Sequence, residues 1–168
     1  MFDFGIEGYR PEWLDRPGDL PRRHGDRLRG LAGRRLTGAW LVWDPVDDVW
    51  FPDCPVLFDF EGEQLEVNHR KLDDLSLTWN TVDPSAPVRW PGFELRWRAE
   101  PLPELRALRG LPLERVELLQ WTGRDAARGT VEIGLGFGTD RVTVFNALDE
   151  NGLDFGPPDP GTRRLLPY

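Results

Sequence analysis

The side chains that could carry out nucleophilic chemistry are few in this 168-residue chain. Cys54 is the only cysteine, the imidazoles are His24 and His69, and the serines are Ser76 and Ser85. No G-x-S-x-G motif is present, and the spacing of Cys54 and His69 does not predict a catalytic pair, which is recognised by geometry. One cysteine also excludes an internal disulfide and a multi-cysteine zinc site. We therefore predict a non-enzymatic protein with no cofactor and no bound metal, in which Cys54 is a buried apolar residue.

The glycine-rich segment at 134–138, GLGFG, has the composition of a nucleotide-binding loop. It lies within an alternating strand pattern, however, and does not open a helix, which a phosphate-binding loop requires. Glycines within strands make room for large neighbours. With eight tryptophans in the chain, we expect Gly134 and Gly136 to lie beneath indole rings.

Carboxylates are the most abundant groups that could form a site. The net charge is −8, and because residues 1–35 carry +2, the remainder carries −10. The negative electrostatic potential of this surplus favours a cationic partner and disfavours nucleic acids and anionic membranes. The acidic turns do not have EF-hand spacing, so their residues are solvated turn carboxylates or an acidic contact surface. The candidates for contact with a basic protein are Asp44, Asp47, Asp48, Asp53, Asp149 and Glu150.

A second group of polar residues follows from counting strands. If consecutive strands form a strict meander, the turns at 61–62, 80–92, 123–128 and 147–152 share one end, and those at 45–53, 70–74, 100–111 and 138–140 share the other. The first end could bind a small molecule or place Asp83, Asp149 and Glu150 together for acid–base chemistry, although turn formation explains the same residues. The candidate ligand-binding residues are Asn80, Asp83, Asn146 and Trp121.

The elements that must position these residues are short. From Leu36 onward apolar residues alternate with polar ones, which is typical of antiparallel strands with one buried and one solvated face. A helix is expected over 101–110, where Pro103 suits the first turn and Gly110 the end. A shorter helix is expected from Asp26 to Gly33. The predicted strands cover 36–44, 54–60, 64–69, 75–80, 93–99, 113–122, 130–138 and 141–148.

This pattern predicts one all-β domain over residues 1–168. It comprises an irregular N-terminal arm (1–25) anchored by Trp13 and Leu14, a β core (36–156) and an irregular tail (157–168). About seven or eight antiparallel strands with one or two short helices would form a meander, either as a half-barrel or as a two-layer sheet. A Greek-key sandwich is the alternative architecture.

Three segments carry a resemblance to known proteins. They are LVWDPVDDVWF (41–51), LSLTWNTVD (75–83) and FNALDENGLD (145–154). The stretch 36–154 resembles small uncharacterised bacterial proteins, some of which are immunity partners in polymorphic-toxin systems. That resemblance implies a role in binding a toxin, and it implies no catalytic residues.

The sequence as a whole leads to two expectations of function. The first is a binding protein of the immunity type that occludes a basic toxin domain. The second is a small-molecule-binding protein with a β-barrel-like interior. The N-terminus has no basic segment followed by an apolar run, and no apolar run is long enough to span a membrane, so we expect a cytoplasmic protein.

Overall fold

A computed structural model describes residues 4–14, 16 and 18–167, although not the side chains of residues 166 and 167. Over these residues the chain forms twelve strands and two helices. The helices are α1 (Asp19–Arg29) and α2 (Pro103–Leu108). The strands are β1 (Trp13–Leu14), β2 (Leu36–Asp44), β3 (Val49–Trp50), β4 (Val56–Phe60), β5 (Glu63–Arg70), β6 (Asp74–Trp79), β7 (Arg96–Ala99), β8 (Arg115–Trp121), β9 (Val131–Phe137), β10 (Asp140–Asn146), β11 (Asn151–Asp154) and β12 (Thr162–Pro167).

The strands form two antiparallel sheets. The first sheet has the order β1-β6-β5-β4-β2-β3, and β7 pairs with β2 as well. The second has the order β11-β10-β9-β8-β12. The predicted all-β, antiparallel, two-layer class is confirmed, and the sheets do not close into a barrel.

The main core lies between the two sheets. Each sheet contributes the apolar side of its alternating strands, such as Phe58 and Leu65 from the first and Ile133 and Leu135 from the second. Helix α2 adds Leu105 at this core, and its start at Pro103 agrees with the prediction. Period-two alternation therefore predicted correctly which residues fill the space between the layers.

The outer face of the first sheet is also buried. The N-terminal segment and the loop after β6 cover it with a second apolar cluster that includes Phe4, Tyr9 and Val88. This covering buries polar side chains that alternation assigns to solvent, among them Glu66 and Ser76, both 0% exposed. The prediction that this face of the first sheet is solvated is therefore wrong.

Both chain ends are more regular than predicted. Helix α1 begins at Asp19, within the predicted irregular arm, and buries Leu20, His24 and Leu28 on one face. The prediction failed because Pro21 and Gly25 were taken as helix breakers, whereas proline is tolerated in a first turn and burial offsets the cost of one glycine. Likewise the predicted irregular tail contains β12, which pairs with β8. Trp13 and Leu14 pair with β6 and anchor the N-terminal segment as expected.

The connection through β7 changes which turns lie together. After β6 the chain returns to the first sheet, where β7 runs antiparallel to β2, and only then enters the second sheet. As a result the turn at 147–150 lies at the same end as the loops at 45–53 and 70–74. The predicted grouping of the turns at the two ends is wrong at this point, because a strict meander has no such return strand.

Among the described residues, the two helices are too short and too polar to cross a membrane.

Candidate binding surface

Asn151, at the start of β11, joins the two sheets at the end where the acidic turns lie. Its side-chain amide nitrogen lies 2.9 Å from the carbonyl oxygens of Pro52 and Cys54 and 2.7 Å from Asn68 Oδ1, so its two N–H groups are shared among three acceptors. Its Oδ1 accepts the backbone N–H of His69 at 2.9 Å. Because Asn151 is only 1% exposed, these bonds hold the loop before β4 against the turn between β10 and β11.

This junction brings together three of the predicted carboxylates, Asp53, Asp149 and Glu150, which we call the acidic rim. Burial, and then the charge of Asp149, raises the pKa of Asp53 above its ordinary value. Burial, and then the charges of Asp53 and Asp149, raises the pKa of Glu150. None of the three forms an ion pair with another described residue. The rim therefore holds negative charge that the described part of the chain does not neutralise.

The neighbouring turn between β5 and β6 provides the surroundings of the rim. The backbone N–H of Lys71 donates to Asp149, and the Asn146 amide donates to the Lys71 carbonyl at 3.0 Å. The Lys71 ammonium itself faces Asp74, 3.6 Å away. Leu72 and Leu148, on these two adjoining turns, are 49% and 56% exposed. Exposed apolar side chains thus adjoin unneutralised carboxylates.

A concave pocket of about 240 Å³ opens on the outer face of the second sheet. Asn146 lies in its wall and also accepts the backbone N–H of Asp149 at 3.1 Å, so one residue contacts both the pocket and the rim. The lining contains four carboxylates and no basic residue. We call it the acidic pocket, and its lining residues are Trp121, Asp125, Ala127, Thr130, Glu132, Thr143, Phe145, Asn146, Asp154, Pro157, Pro158 and Asp159.

Glu132 is the least compensated carboxylate of the acidic pocket. It is partly buried, and no other described residue gives it a hydrogen bond or ion pair. Burial, and then the negative charges of Asp159 and Asp154, raises its pKa from 4.5 to about 7, although Arg141 opposes the shift. By contrast, Asp125 accepts the Trp121 indole N–H at 2.8 Å and the Ala127 N–H at 3.0 Å.

Beyond the acidic pocket, the same face carries a buried ion pair. Glu117, 2% exposed, binds the guanidinium of Arg141, and Arg164 approaches it to 2.9 Å. A Cβ on Gly134 would lie 2.0 Å from Arg141 Nη2, and one on Gly136 would lie 3.0 Å from Arg115 Nη2. The expectation that these glycines lie beneath indoles is therefore wrong, because they make room for arginines that reach across β9.

The other predicted contact residues are not part of the rim. Asp44 is 6% exposed and its carboxylate accepts the N–H of Val46 at 2.8 Å, so it fixes its own turn and is not accessible to a partner. Asp48 is exposed but accepts the Trp43 indole N–H at 2.9 Å and lies 3.1 Å from Arg98. The indole N–H and then Arg98 lower the pKa of Asp48. Asp47 is exposed on the same turn.

The residues predicted for the alternative, ligand-binding role separate into two pairs. Trp121 and Asn146 both line the acidic pocket. Asn80 instead accepts the Gln64 N–H at 2.7 Å, where β5 begins, and Asp83 bonds within its own turn to Ser85. Because β5 begins at the end away from the rim, the proposed grouping of Asp83 with Asp149 and Glu150 is wrong.

Cys54 and His69 are both buried near the junction. Burial raises the pKa of the Cys54 thiol, as Asp53 does to a smaller extent, so the thiol is unreactive and packs as predicted. His69 is 2% exposed and lies between the sheets, not at the surface. Among the described residues, no three acidic, histidine or cysteine side chains are grouped so that they could hold a metal ion.

Glu132 and Thr130 are two residues of the acidic pocket that sequence reasoning missed. Both occur in or beside a strand whose alternation marks them only as solvent-facing, and no local motif distinguishes them.

Comparison of the chain with protein-family models, curated proteins and solved structures finds no match.

Proposed function

We propose that this chain is a non-enzymatic binding protein that docks a basic protein domain on the acidic rim, in the manner of an immunity protein that occludes a toxin. The observation that carries the proposal is that Asp53, Asp149 and Glu150 lie together, without ion pairs to other described residues, beside the exposed Leu72 and Leu148. The resemblance of residues 36–154 to immunity partners points in the same direction.

Burial first, and then the charges of the neighbouring carboxylates, raise the pKa values of Asp53 and Glu150, so their ionised forms are destabilised in the absence of a basic partner. Like charges at close range destabilise one another, and a lysine or arginine placed among them relieves that repulsion. Exposed leucines add apolar area at the centre of such a contact, where interfaces are depleted in charge. Complementary charge then accelerates association and fixes orientation.

Occlusion requires no chemistry from this chain. An interface of about 800 Å² per partner covers an active site if the rim docks beside it. Asn151 and its four hydrogen bonds keep the loop before β4 and the β10–β11 turn in place, so little ordering is needed on binding.

Co-expression with the product of the adjacent gene tests this function. We expect the two proteins to copurify, their dissociation constant to rise steeply with salt, and cells to be rescued if that product is toxic. The double variant Asp53→Lys with Glu150→Lys should weaken binding by at least about 100-fold, since two close charge pairs are reversed. Asp149→Asn should have a smaller effect because it keeps the oxygen that accepts the Lys71 N–H.

A matched control is the double variant Glu61→Lys with Glu104→Lys. Both residues are exposed, neither is in an ion pair with a described residue, and they lie at the opposite end of the sheets. The control changes net charge equally and should leave the affinity within about threefold at physiological salt, where distant charges are screened. Equal loss in both doubles, or no complex with the neighbouring product, would count against the proposal.

Small-molecule binding is a second candidate function, and one observation favours it. The acidic pocket brings Trp121 and Asn146 together in a concave site with aromatic walls. A thermal-shift screen against metabolites should then yield a stabilising compound whose effect disappears when Trp121 is replaced by alanine. A screen without any stabilising compound would contradict it.

A further inference from the structure

We propose that the acidic pocket is a binding site for a guanidinium group, held by Glu132 and the Thr130 hydroxyl between the walls formed by Trp121 and Phe145. This inference gives the second candidate function a ligand class and does not depend on the docking of a partner at the rim. The site lies on the outer face of the second sheet, formed by β9 and β10 together with residues 121–127 and 154–159.

The charge of the lining selects a cation. Four carboxylates surround the space, and no lysine, arginine or histidine of the described residues lines it. The four belong to Asp125, Glu132, Asp154 and Asp159. Arg141 is a base whose charge acts on Glu132, but its guanidinium already binds the buried Glu117. A positive ligand therefore gains favourable interactions with all four carboxylates, and a neutral or negative ligand does not.

The size and the walls of the pocket favour an organic cation. Pockets for drug-sized ligands occupy roughly 300–1,000 Å³, so a volume of about 240 Å³ suits one small cation or one long side chain. The aromatic walls are fixed: Trp121 lies against Gly123 and Gly161, and Phe145 covers Gly152 so closely that a Cβ there would lie 2.3 Å from its ring. Aromatic walls favour a planar, weakly hydrated guanidinium over a compact, strongly hydrated ion.

Two polar groups of the pocket are left without a partner. Thr130 is only 4% exposed, yet its hydroxyl makes no hydrogen bond with any other described residue. The Glu132 carboxylate is equally without a hydrogen bond from the described residues, whereas Asp154 and Asp159 each accept a backbone N–H at 2.7 Å. Both groups line the open space of the pocket, so a ligand that donates several N–H bonds can bind the two of them at once.

A guanidinium group can reach the pocket from two sources. It can belong to a small free molecule, or it can be the arginine side chain of a protein bound nearby, because Asn146 of the pocket wall also bonds the backbone of Asp149 in the rim. The chemistry of recognition is the same in both cases. Agmatine and a capped Gly-Gly-Arg-Gly-Gly peptide are the probes that distinguish the two sources.

The test uses the full-length protein labelled with ¹⁵N and titrated with N-acetyl-arginine amide. Its neutral isostere, N-acetyl-citrulline amide, is the matched control ligand. We expect the indole N–H resonance of Trp121, identified by its loss in Trp121→Phe, to shift with the arginine compound. The citrulline compound should bind at least about tenfold more weakly, since it lacks the charge that strengthens hydrogen bonds to carboxylates. Tighter binding of the peptide indicates a protein source, and tighter binding of agmatine indicates a free ligand.

Substitutions locate the site without disturbing the fold. Glu132→Gln should weaken binding about tenfold, and Thr130→Val, which keeps the side-chain shape, should weaken it by roughly threefold. Glu61→Gln at the far end of the first sheet should change nothing, and thermal melting confirms that all three variants are folded. Equal affinity for the two isosteres, competition by Ca²⁺ at equimolar concentration, or full affinity in Glu132→Gln would overturn the proposal.

Discussion

The Oδ1 atom of Asn151 accepts the backbone N–H of His69 at 2.9 Å and lies 3.1 Å from Nδ1 of the same residue. His69 belongs to the first sheet and Asn151 to the second, and both are buried. The other ring nitrogen of His69 lies 3.0 Å from the Val131 carbonyl, which belongs to the second sheet as well. One asparagine and one histidine thus hold the two layers together at the end where the acidic rim forms.

Removing the Asn151 side chain should be strongly destabilising. Asn151→Ala removes the side-chain partner of the His69 N–H, the Cys54 carbonyl and Asn68 Oδ1, all buried, so we expect the free energy of unfolding to fall by about 3 kcal/mol or more. Asn146→Ala, which removes two hydrogen bonds at the pocket wall, should cost only about 1–2 kcal/mol. Urea denaturation followed by tryptophan fluorescence measures both, and equal costs would show that Asn151 is not the principal link.

His69 should make the protein sensitive to acid. Burial lowers the pKa of its imidazole in the folded state, so below pH 6.5 the unfolded chain binds more protons and stability falls as the pH falls. His69→Gln should remove this contribution, and its stability should then change less between pH 7 and pH 5 than that of the original chain.

His24→Gln is the matched control for that comparison. Burial lowers the pKa of the His24 imidazole as well. His24 lies at the edge of the core, however, where it is 8% exposed, and it should account for a smaller part of the acid sensitivity. If His69→Gln retains the full acid sensitivity, the imidazole between the sheets is not responsible.

Glu132 should have the opposite pH dependence. Its pKa is raised from 4.5 to about 7 in the folded state, so the folded protein binds more protons between these values and Glu132 lowers stability as the pH rises. Glu132→Gln should therefore melt at nearly the same temperature as the original chain at pH 4.5 and at a higher temperature at pH 8. The difference between the two melting curves as a function of pH is the measurement.

A guanidinium ligand should bind the protein more tightly when Glu132 is ionised. Because binding favours the ionised carboxylate, its affinity should rise with pH up to about 7 and level off above it. Asp154, Asp159 and Arg141 are the charged groups that face Glu132. Affinity that is constant from pH 5 to pH 8 would contradict the assignment of Glu132 as the ligand carboxylate.

The ion pair between Glu117 and Arg141 should contribute more through the cost of breaking it than through its net strength. Glu117→Ala leaves a guanidinium that is 6% exposed without its counter-charge, and we expect a loss of about 3–5 kcal/mol. Glu114→Ala, an exposed residue 4.0 Å from Arg115, is the control and should cost less than about 0.5 kcal/mol. Similar losses in both variants, measured by urea denaturation, would show that burial adds nothing to the pair.

The strands were predictable because alternation is a local property. Leu75 and Leu77 face the main core as their spacing requires, and α2 begins at the proline that the sequence marks. Glu66 shows where this reasoning fails. Alternation places it in solvent, but the chain after β6 folds back and supplies the N–H groups of Thr81 and Val82, at 2.6 and 2.9 Å. That cover comes from a distant segment, and no pattern around Glu66 records it.

The acidic rim and the acidic pocket were likewise predictable only in part. The sequence was sufficient to predict that Asp53, Asp149 and Glu150 lie on turns of an acidic protein, but it could not show that they meet, since that depends on the return of β7 to the first sheet. The acidic pocket depends on strand pairing too, because Glu132 meets the loop at 155–161 only after β11 and β12 are in place.

The amino-acid order by itself therefore determined the strand periodicity, the excess of negative charge and the lack of a nucleophilic motif, all of which depend on neighbours along the chain. Only the tertiary structure decided that both faces of the first sheet are buried, which turns share an end and which carboxylate lacks a partner among the described residues. Those outcomes depend on contacts between residues as far apart as His69 and Asn151. Such contacts are set by how the two sheets pack, and the local free energies of the strands do not specify them.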